Sequence, residues 1–285
     1  MKIILSRKGF DTSSGGVPSP IFPDGTMLSL PIPDKQSTIQ YKTLNWEEFN
    51  VGDIVSSLTK KKIKPQHNAH VDPDLNSHTL PRRKEWKPLF GQVAAAQGHL
   101  RLQHVAPGDV FIFFGLFRKV HLTDVGPRYN NGALPRHVIW GWLQIEKIVE
   151  VDRADKNIRK WATYHPHFHR RPDVTNTIYA GKDQLEIPGH GDLSISGAGV
   201  FRHFSKSLQL TQQISEKVSV WELPGWFYPS DGKPALTYHS DPKRWKKNKS
   251  TVILQTVSRG QEFILDCAHY PESVNWLICL LRNEK

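Results

Sequence analysis

Cysteine is almost absent from this sequence: Cys267 and Cys279 are the only two, both near the C-terminal end. Two isolated thiols exclude a disulfide framework and a cysteine-built metal site, so both are expected to be free and mostly buried. Long apolar runs are also missing. No segment reaches the roughly 18 consecutive apolar residues that span a bilayer, and charge interrupts the opening Met-Lys-Ile-Ile-Leu-Ser-Arg too early for a secretory signal. A cytoplasmic protein without a membrane partner is therefore expected. Neither an internal repeat nor a low-complexity tract is visible, and glycine and proline are scattered without forming a linker. One domain over residues 1–285 is the expectation, with a subdivision near 170–175, after Arg170-Arg171-Pro172, as the alternative.

What is plentiful is positive charge. Lys and Arg number 38 against 27 Asp and Glu, for a net charge of +11. Such a field attracts polyanions, and nucleic acid or a nucleotide is the expected partner, although a generally basic surface that only promotes solubility has the same composition.

The apolar pattern predicts an α+β fold with β dominant. A mixed or antiparallel sheet, or a partly open barrel, would carry a few packed helices. Residues 2–6 form a short buried strand. Val110–Phe117 and Val138–Val149 are β-branched and aromatic runs separated by a Gly/Pro/Asn turn region, and they read as paired central strands. Further strands are expected at 176–180, 193–204, 218–223, 234–239, 251–257 and 261–267. Leu89, Val93, Ala96 and Leu100 share a helical spacing, predicting a helix over 89–103, and an amphipathic helix closes the chain over 272–282. Residues 56–88 lack apolar periodicity and read as a long irregular excursion.

That excursion holds the most suggestive polar cluster: His67, His70, Asp72, Asp74 and His78. Imidazole and carboxylate together suit iron, manganese or zinc. In an extended backbone His70-Val71-Asp72 presents both side chains to one side, which leaves a third ligand to come from His165, His167 or His169, or from His239. Asp74 is a further candidate ligand. The same residues also fit a solvated turn at Asp72-Pro73-Asp74. At the end of the first strand, Arg7, Lys8 and the stretch Ser13–Gly16 offer cations and open backbone N–H groups to a phosphate, though the Walker order is absent. Lys8 and Asp11 also fit a structural ion pair. Gln92 and His99 fall on one face of the predicted helix and would converge on a ligand. Trp245 lies within Asp241–Lys249, a stretch dense in lysine, and is the best local candidate for base stacking on nucleic acid. Arg259 would clamp a carboxylate or phosphate at the start of a strand.

Several stretches together resemble a known family. These are Ile-Leu-Ser-Arg-Lys-Gly-Phe-Asp at the start, Gly-Gly-Val-Pro-Ser-Pro-Ile, Leu-Ser-Leu-Pro-Ile-Pro, His70-Val-Asp-Pro-Asp, Phe90-Gly-Gln, Gly108-Asp-Val-Phe-Ile-Phe-Phe-Gly and Arg259-Gly-Gln-Glu-Phe. They resemble the third class of nucleotide-modification-associated domains over nearly the whole chain. The resemblance implies a setting in DNA-base modification and marks Lys8, Asp11, His70, Asp72, Asp74, Gln92, Gln97, His99, Arg259 and Gln261 as functional candidates. Gly108-Asp109 with its aromatic strand, and the strand from Val138, are also similar to a part of small PUA-like barrels.

Three functions fit these readings. The first is an enzyme acting on nucleotides or on bases in DNA, with Lys8, Asp11, His70, Asp72 and His99 in catalysis, a divalent metal on His70 and Asp72, and Arg7, Gln92, Gln97, Trp245, Arg259 and Gln261 on the substrate. The second is a non-catalytic reader of a modified or flipped base. The third is a metal-dependent enzyme acting on a peptide or small molecule.

Overall fold

The computed structural model describes residues 1–230, 232–258, 260 and 262–282. Its main sheet is built on strand β1 (Lys2–Arg7), β2 (Leu89–Gln92), β3 (Val110–Thr123), β4 (Arg136–Glu150) and β5 (Thr177–Gly181). A separate three-stranded sheet comprises β6 (Val220–Pro224), β7 (Trp245–Lys247) and β8 (Thr251–Gln255), and β9 (Glu262–Asp266) returns to the main sheet. The main path runs β9-β1-β3-β4-β5-β2. Only β1 and β3 are parallel along that path; the other pairs are antiparallel. This is the expected β-dominant α+β fold with a mixed sheet.

The centre of the sheet explains the apolar runs. Every residue from Val110 to Phe117 is buried, as is the stretch His137–Ile145. Both faces are covered, so a period-two alternation has no reason to appear. β4 is long enough to pair with β3 at one end and β5 at the other, with an irregularity on each side, and it carries the sheet around a bend. The sheet curls until its terminal strands approach: Gln92 Nε2 of β2 donates to Glu262 Oε1 of β9 at 2.6 Å. Among the described residues no backbone ladder joins these ends, so the sheet is not a closed barrel.

Among the described residues four helices accompany it: α1 (Val51–Leu58), α2 (Ala94–Leu102), α3 (Lys156–Ala162) and α4 (Glu272–Arg282). None is long and apolar enough to cross a membrane. α4 has the expected bounds and buries Leu277, Ile278, Leu280 and Leu281. The helix expected over 89–103 is shorter. Leu89–Gln92 instead pairs with β5, because alternating Phe90 and Gln92 against Leu89 and Gly91 fits a sheet edge, and tertiary pairing overrides the alanine-rich propensity. The helix then starts at Ala94, whose N–H is capped by Thr175 Oγ1 at 2.7 Å, and it buries Gln97 and Leu100.

Other expectations shrink. The strand over 193–204 is reduced to Ala198–Val200, where Gly197 and Gly199 lie too close to Lys182 and Trp142 to admit a side chain. Residues 234–239 form turns, with Tyr238 in the left-handed region at φ 68°. Cys267 is buried as expected, but Cys279 is exposed on the outer side of α4. β4 and β5 pair across the 170–175 stretch, so chain from both sides of that break enters one sheet.

Candidate functional site

The 56–88 excursion opens with the end of α1 and is then largely irregular, and it wraps the free edge of β2. Ala69–His70 pairs with Ile32–Pro33. This extended segment sends Val71 into the core and turns His70 and Asp72 together to the other side, as the His-x-Asp spacing requires. The backbone of Asp74 then pairs with Leu89, which brings Asp72 against Gly91. From the opposite direction the 3-10 turn Pro166–His169 presents His167, with His165 as its cap.

The side chains of His70, Asp72 and His167 converge, each offering a ligand atom within 4.8 Å of the others. The two oxygens of Asp72 have different surroundings. Oδ1 accepts the Gly91 N–H at 2.7 Å and is 3.3 Å from His165 Nε2, whose N–H is poorly aligned with it. Oδ2 faces His70 Nε2 and His167 Nε2, each at 3.5 Å. Two atoms bound to one ion at about 2.1 Å stand roughly 3.0–3.4 Å apart at angles of 90–109°. The three groups must therefore draw closer together for all of them to meet one ion.

The remaining ring nitrogens are occupied. His70 Nδ1 meets Asp34 Oδ2 at 2.7 Å, and His167 Nδ1 meets Asn176 Oδ1 at 2.6 Å. An amide oxygen is only an acceptor, so His167 Nδ1 bears a hydrogen and Nε2 is the nitrogen that faces Asp72. Such partners orient a ligating imidazole and raise its basicity. His165 is fully buried, and its Nδ1 faces the His167 backbone N–H at 3.5 Å.

Electrostatics bind the cluster together. Burial alone would push the Asp72 carboxyl up, but His165, His167 and His70 hold it well below the usual carboxylate range. Burial opposes charge on His70 as well, and there Asp34 and Asp72 prevail, pushing its pKa up to about 9. For His165 burial wins and the pKa falls. Asp72 and Asp74 border an apolar recess walled by Leu30, Trp46, Trp140 and Phe201, and a low local dielectric strengthens each of these contacts.

Gly91 is needed for space. A Cβ there would lie 2.4 Å from His167 Cδ2 and 2.5 Å from Nε2. Its φ is not in the left-handed region, so the ring of His167, not backbone conformation, calls for glycine.

Two candidate metal ligands lie outside the cluster. Asp74 is only 2 % exposed, receives both terminal nitrogens of Arg82 at 2.6 and 2.7 Å, and accepts the Tyr164 hydroxyl at 2.6 Å. It braces the chain that leads into the His165 turn. His239 is buried elsewhere: Nδ1 donates to Thr237 O, and Nε2 accepts the Val257 N–H. With both nitrogens engaged it is not the distant ligand. Among the described residues His167 is the histidine that stands with His70 and Asp72 in a group that could hold an ion.

The N-terminal loop is not an open phosphate cradle. Asp11 Oδ1 already accepts the N–H groups of Ser13 and Ser14 and the Ser13 hydroxyl. Lys8 pairs with Glu262 at 3.0 Å and not with Asp11, while Arg7 is half-buried at the end of β1. Trp245 is buried and donates Nε1–H to His239 O at 2.7 Å, so its ring is no platform for a base. The neighbouring Lys243, Lys246, Lys247 and Lys249 are exposed. Gln97 accepts the Tyr179 hydroxyl, and His99 meets Thr237 Oγ1. Arg259 and Gln261 lie outside the described residues. The sequence did not single out Asp34, Asn176 or Glu262, which come from distant segments; Gly91, inside Phe90-Gly-Gln, and Glu262, inside Arg259-Gly-Gln-Glu-Phe, carried a local signal.

A family model for nucleotide modification associated domain 3 matches residues 2–266. The chain belongs to this family. No curated protein and no solved structure matches it. The match spans β1 to β9 and thus covers the stretch that holds the His/Asp cluster.

Proposed function

We propose that this protein is an enzyme that modifies nucleotides or bases in DNA, using a divalent metal held by His70, Asp72 and His167. One observation carries the reading: Asp72 Oδ2 and two imidazole Nε2 atoms point at a common centre, and the opposite nitrogen of each ring is anchored. Two imidazoles and one carboxylate leave coordination positions open for substrate, and the donor set suits iron(II), manganese or zinc. A bound ion would act there as a Lewis acid or redox centre. The family's association with nucleotide modification supports a nucleotide or DNA substrate, and the exposed lysines of 243–249 support phosphate contacts with a nucleic acid.

Asp34 and Asn176 act through the ligands and are positioning residues. Metal content measured by plasma mass spectrometry tests the reading, using protein loaded in turn with iron(II), manganese and zinc. The expected result is one equivalent of ion in the wild type, lost in His70→Ala, Asp72→Ala and His167→Ala. Wild-type protein that retains none of the three ions refutes it, as do variants that retain the wild-type content.

A further inference from the structure

The curl of the main sheet creates a second polar centre, on the face of β2 opposite His167. Gly91 would point its side chain at His167, whereas Phe90 and Gln92 point to the other face. Glu262, at the start of β9, is there 1 % exposed. Its Oε1 accepts both Lys8 Nζ at 3.0 Å and Gln92 Nε2 at 2.6 Å. Its Oε2 is buried and has no hydrogen-bond partner among the described residues. A buried carboxylate oxygen without a donor is costly, and native structures retain such groups where a ligand or water completes them.

Two aromatic rings stand beside it, packed on one another at an interplanar angle of 37°. Tyr238 is 47 % exposed, and its ring centroid is 4.4 Å from that of the half-buried His99. His99 Nε2 reaches Thr237 Oγ1 at 3.2 Å, and that hydroxyl is 3.5 Å from the backbone oxygen of Glu262. Both rings feel the Glu262 charge. Tyr238 takes up the left-handed backbone region, unusual for a residue with a side chain, to occupy this place.

We propose that this centre binds a nucleobase, with Glu262 Oε2 accepting an amino or ring N–H group and the exposed Tyr238 ring, backed by His99, stacking on the base. The Lys8 ammonium disfavours a cation, and the Glu262 carboxylate disfavours an anion. A neutral edge that donates to Oε2 and accepts from Lys8 satisfies both. Cytosine, adenine and guanine carry amino groups that give such edges. In thymine the single ring N–H lies between two carbonyl oxygens that a carboxylate repels. The inference rests on the nucleotide reading of the chain but does not involve the metal.

The test is isothermal titration of metal-free protein with the monophosphates of deoxycytidine, deoxyadenosine, deoxyguanosine and thymidine. At least one amino-bearing nucleotide should bind roughly tenfold or more tightly than thymidine monophosphate, as a hydrogen bond to a charged group implies. Glu262→Gln keeps the shape and should abolish that preference. Tyr238→Ala, at a half-exposed position, should weaken all four. The inference is overturned if none of the four binds at millimolar concentration, if all bind equally, or if both Glu262→Gln and Tyr238→Ala match the wild type. Metal retention without nucleotide binding sinks this inference and spares the metal reading; nucleotide binding without metal retention does the reverse.

Discussion

Gly91→Ala separates the geometry of the His/Asp cluster from the stability of the fold. The added Cβ would stand 2.4–2.6 Å from three atoms of the His167 ring. Carbon contacts settle at about 3.5–4.0 Å, so the ring must retreat by about 1 Å. It is buried and tied through Nδ1 to Asn176, so it retreats as a unit with that partner or tilts out of line. Metal–nitrogen bonds tolerate about 0.2 Å, and disturbing an anchored ligand costs roughly 10–100-fold in metal affinity. Overpacking costs about 1–3 kcal/mol of stability, a shift of several degrees in Tm. Titration of the apo-protein with zinc, alongside thermal melting, measures both quantities. Gly98→Ala is the control, because nothing lies within 4 Å of a Cβ at this position inside α2. It should add about 0.5–1 kcal/mol of stability and leave the metal affinity unchanged. A Gly91→Ala protein that binds zinc as tightly as the wild type would refute the placement of His167 as a ligand.

Other perturbations test the surroundings. Burial, aided by the charge of Arg7, pushes the pKa of His137 from 6.5 down to about 4, and its Nδ1 accepts the Trp221 indole N–H at 3.0 Å. Between those pH values the unfolded chain gains a proton that the native chain refuses, so stability falls as pH falls from 6.5 to 4, by about 3 kcal/mol in all. His137→Asn preserves an acceptor and should flatten this part of the profile in urea titrations; an unchanged profile counts against the assignment. Arg82→Met leaves Asp74 buried without its cation and should cost about 3–5 kcal/mol; a loss below about 1 kcal/mol in denaturant titration would show that Asp74 does not depend on that pair. Trp245→Ala should destabilise by about 3–5 kcal/mol, as expected of a core aromatic, and a near-neutral melting curve would restore it as a surface residue. Replacing Lys246 and Lys249 by Gln should leave Tm unchanged and reduce the salt dependence of single-stranded DNA binding by about two phosphate contacts; an identical salt slope would remove this segment from the interface.

Local chemistry made much of this protein legible in its sequence. β1, the two central strands and α4 are runs whose burial pattern follows from their own side chains, and His70-Val71-Asp72 needs only an extended backbone to present two ligands together. Leu89–Gln92 was not legible, because its helical spacing is satisfied locally while its actual partner, β5, lies far along the chain. Trp245 misled for a related reason: a tryptophan among lysines looks exposed, yet the flanking lysines reach solvent while the indole packs inward and bonds the His239 backbone.

The sequence by itself determined the β-dominant architecture, the basic field and the half of the cluster contained in one extended tripeptide, since each rests on composition or on neighbours in the chain. Only the tertiary structure decided that His167 and not His239 stands beside His70 and Asp72, that Asp34 and Asn176 meet the two rings, and that Lys8 and Gln92 share Glu262. Those choices depend on how the sheet curls and where the 3-10 turn docks, and such long-range closure leaves no periodic trace in the order of residues.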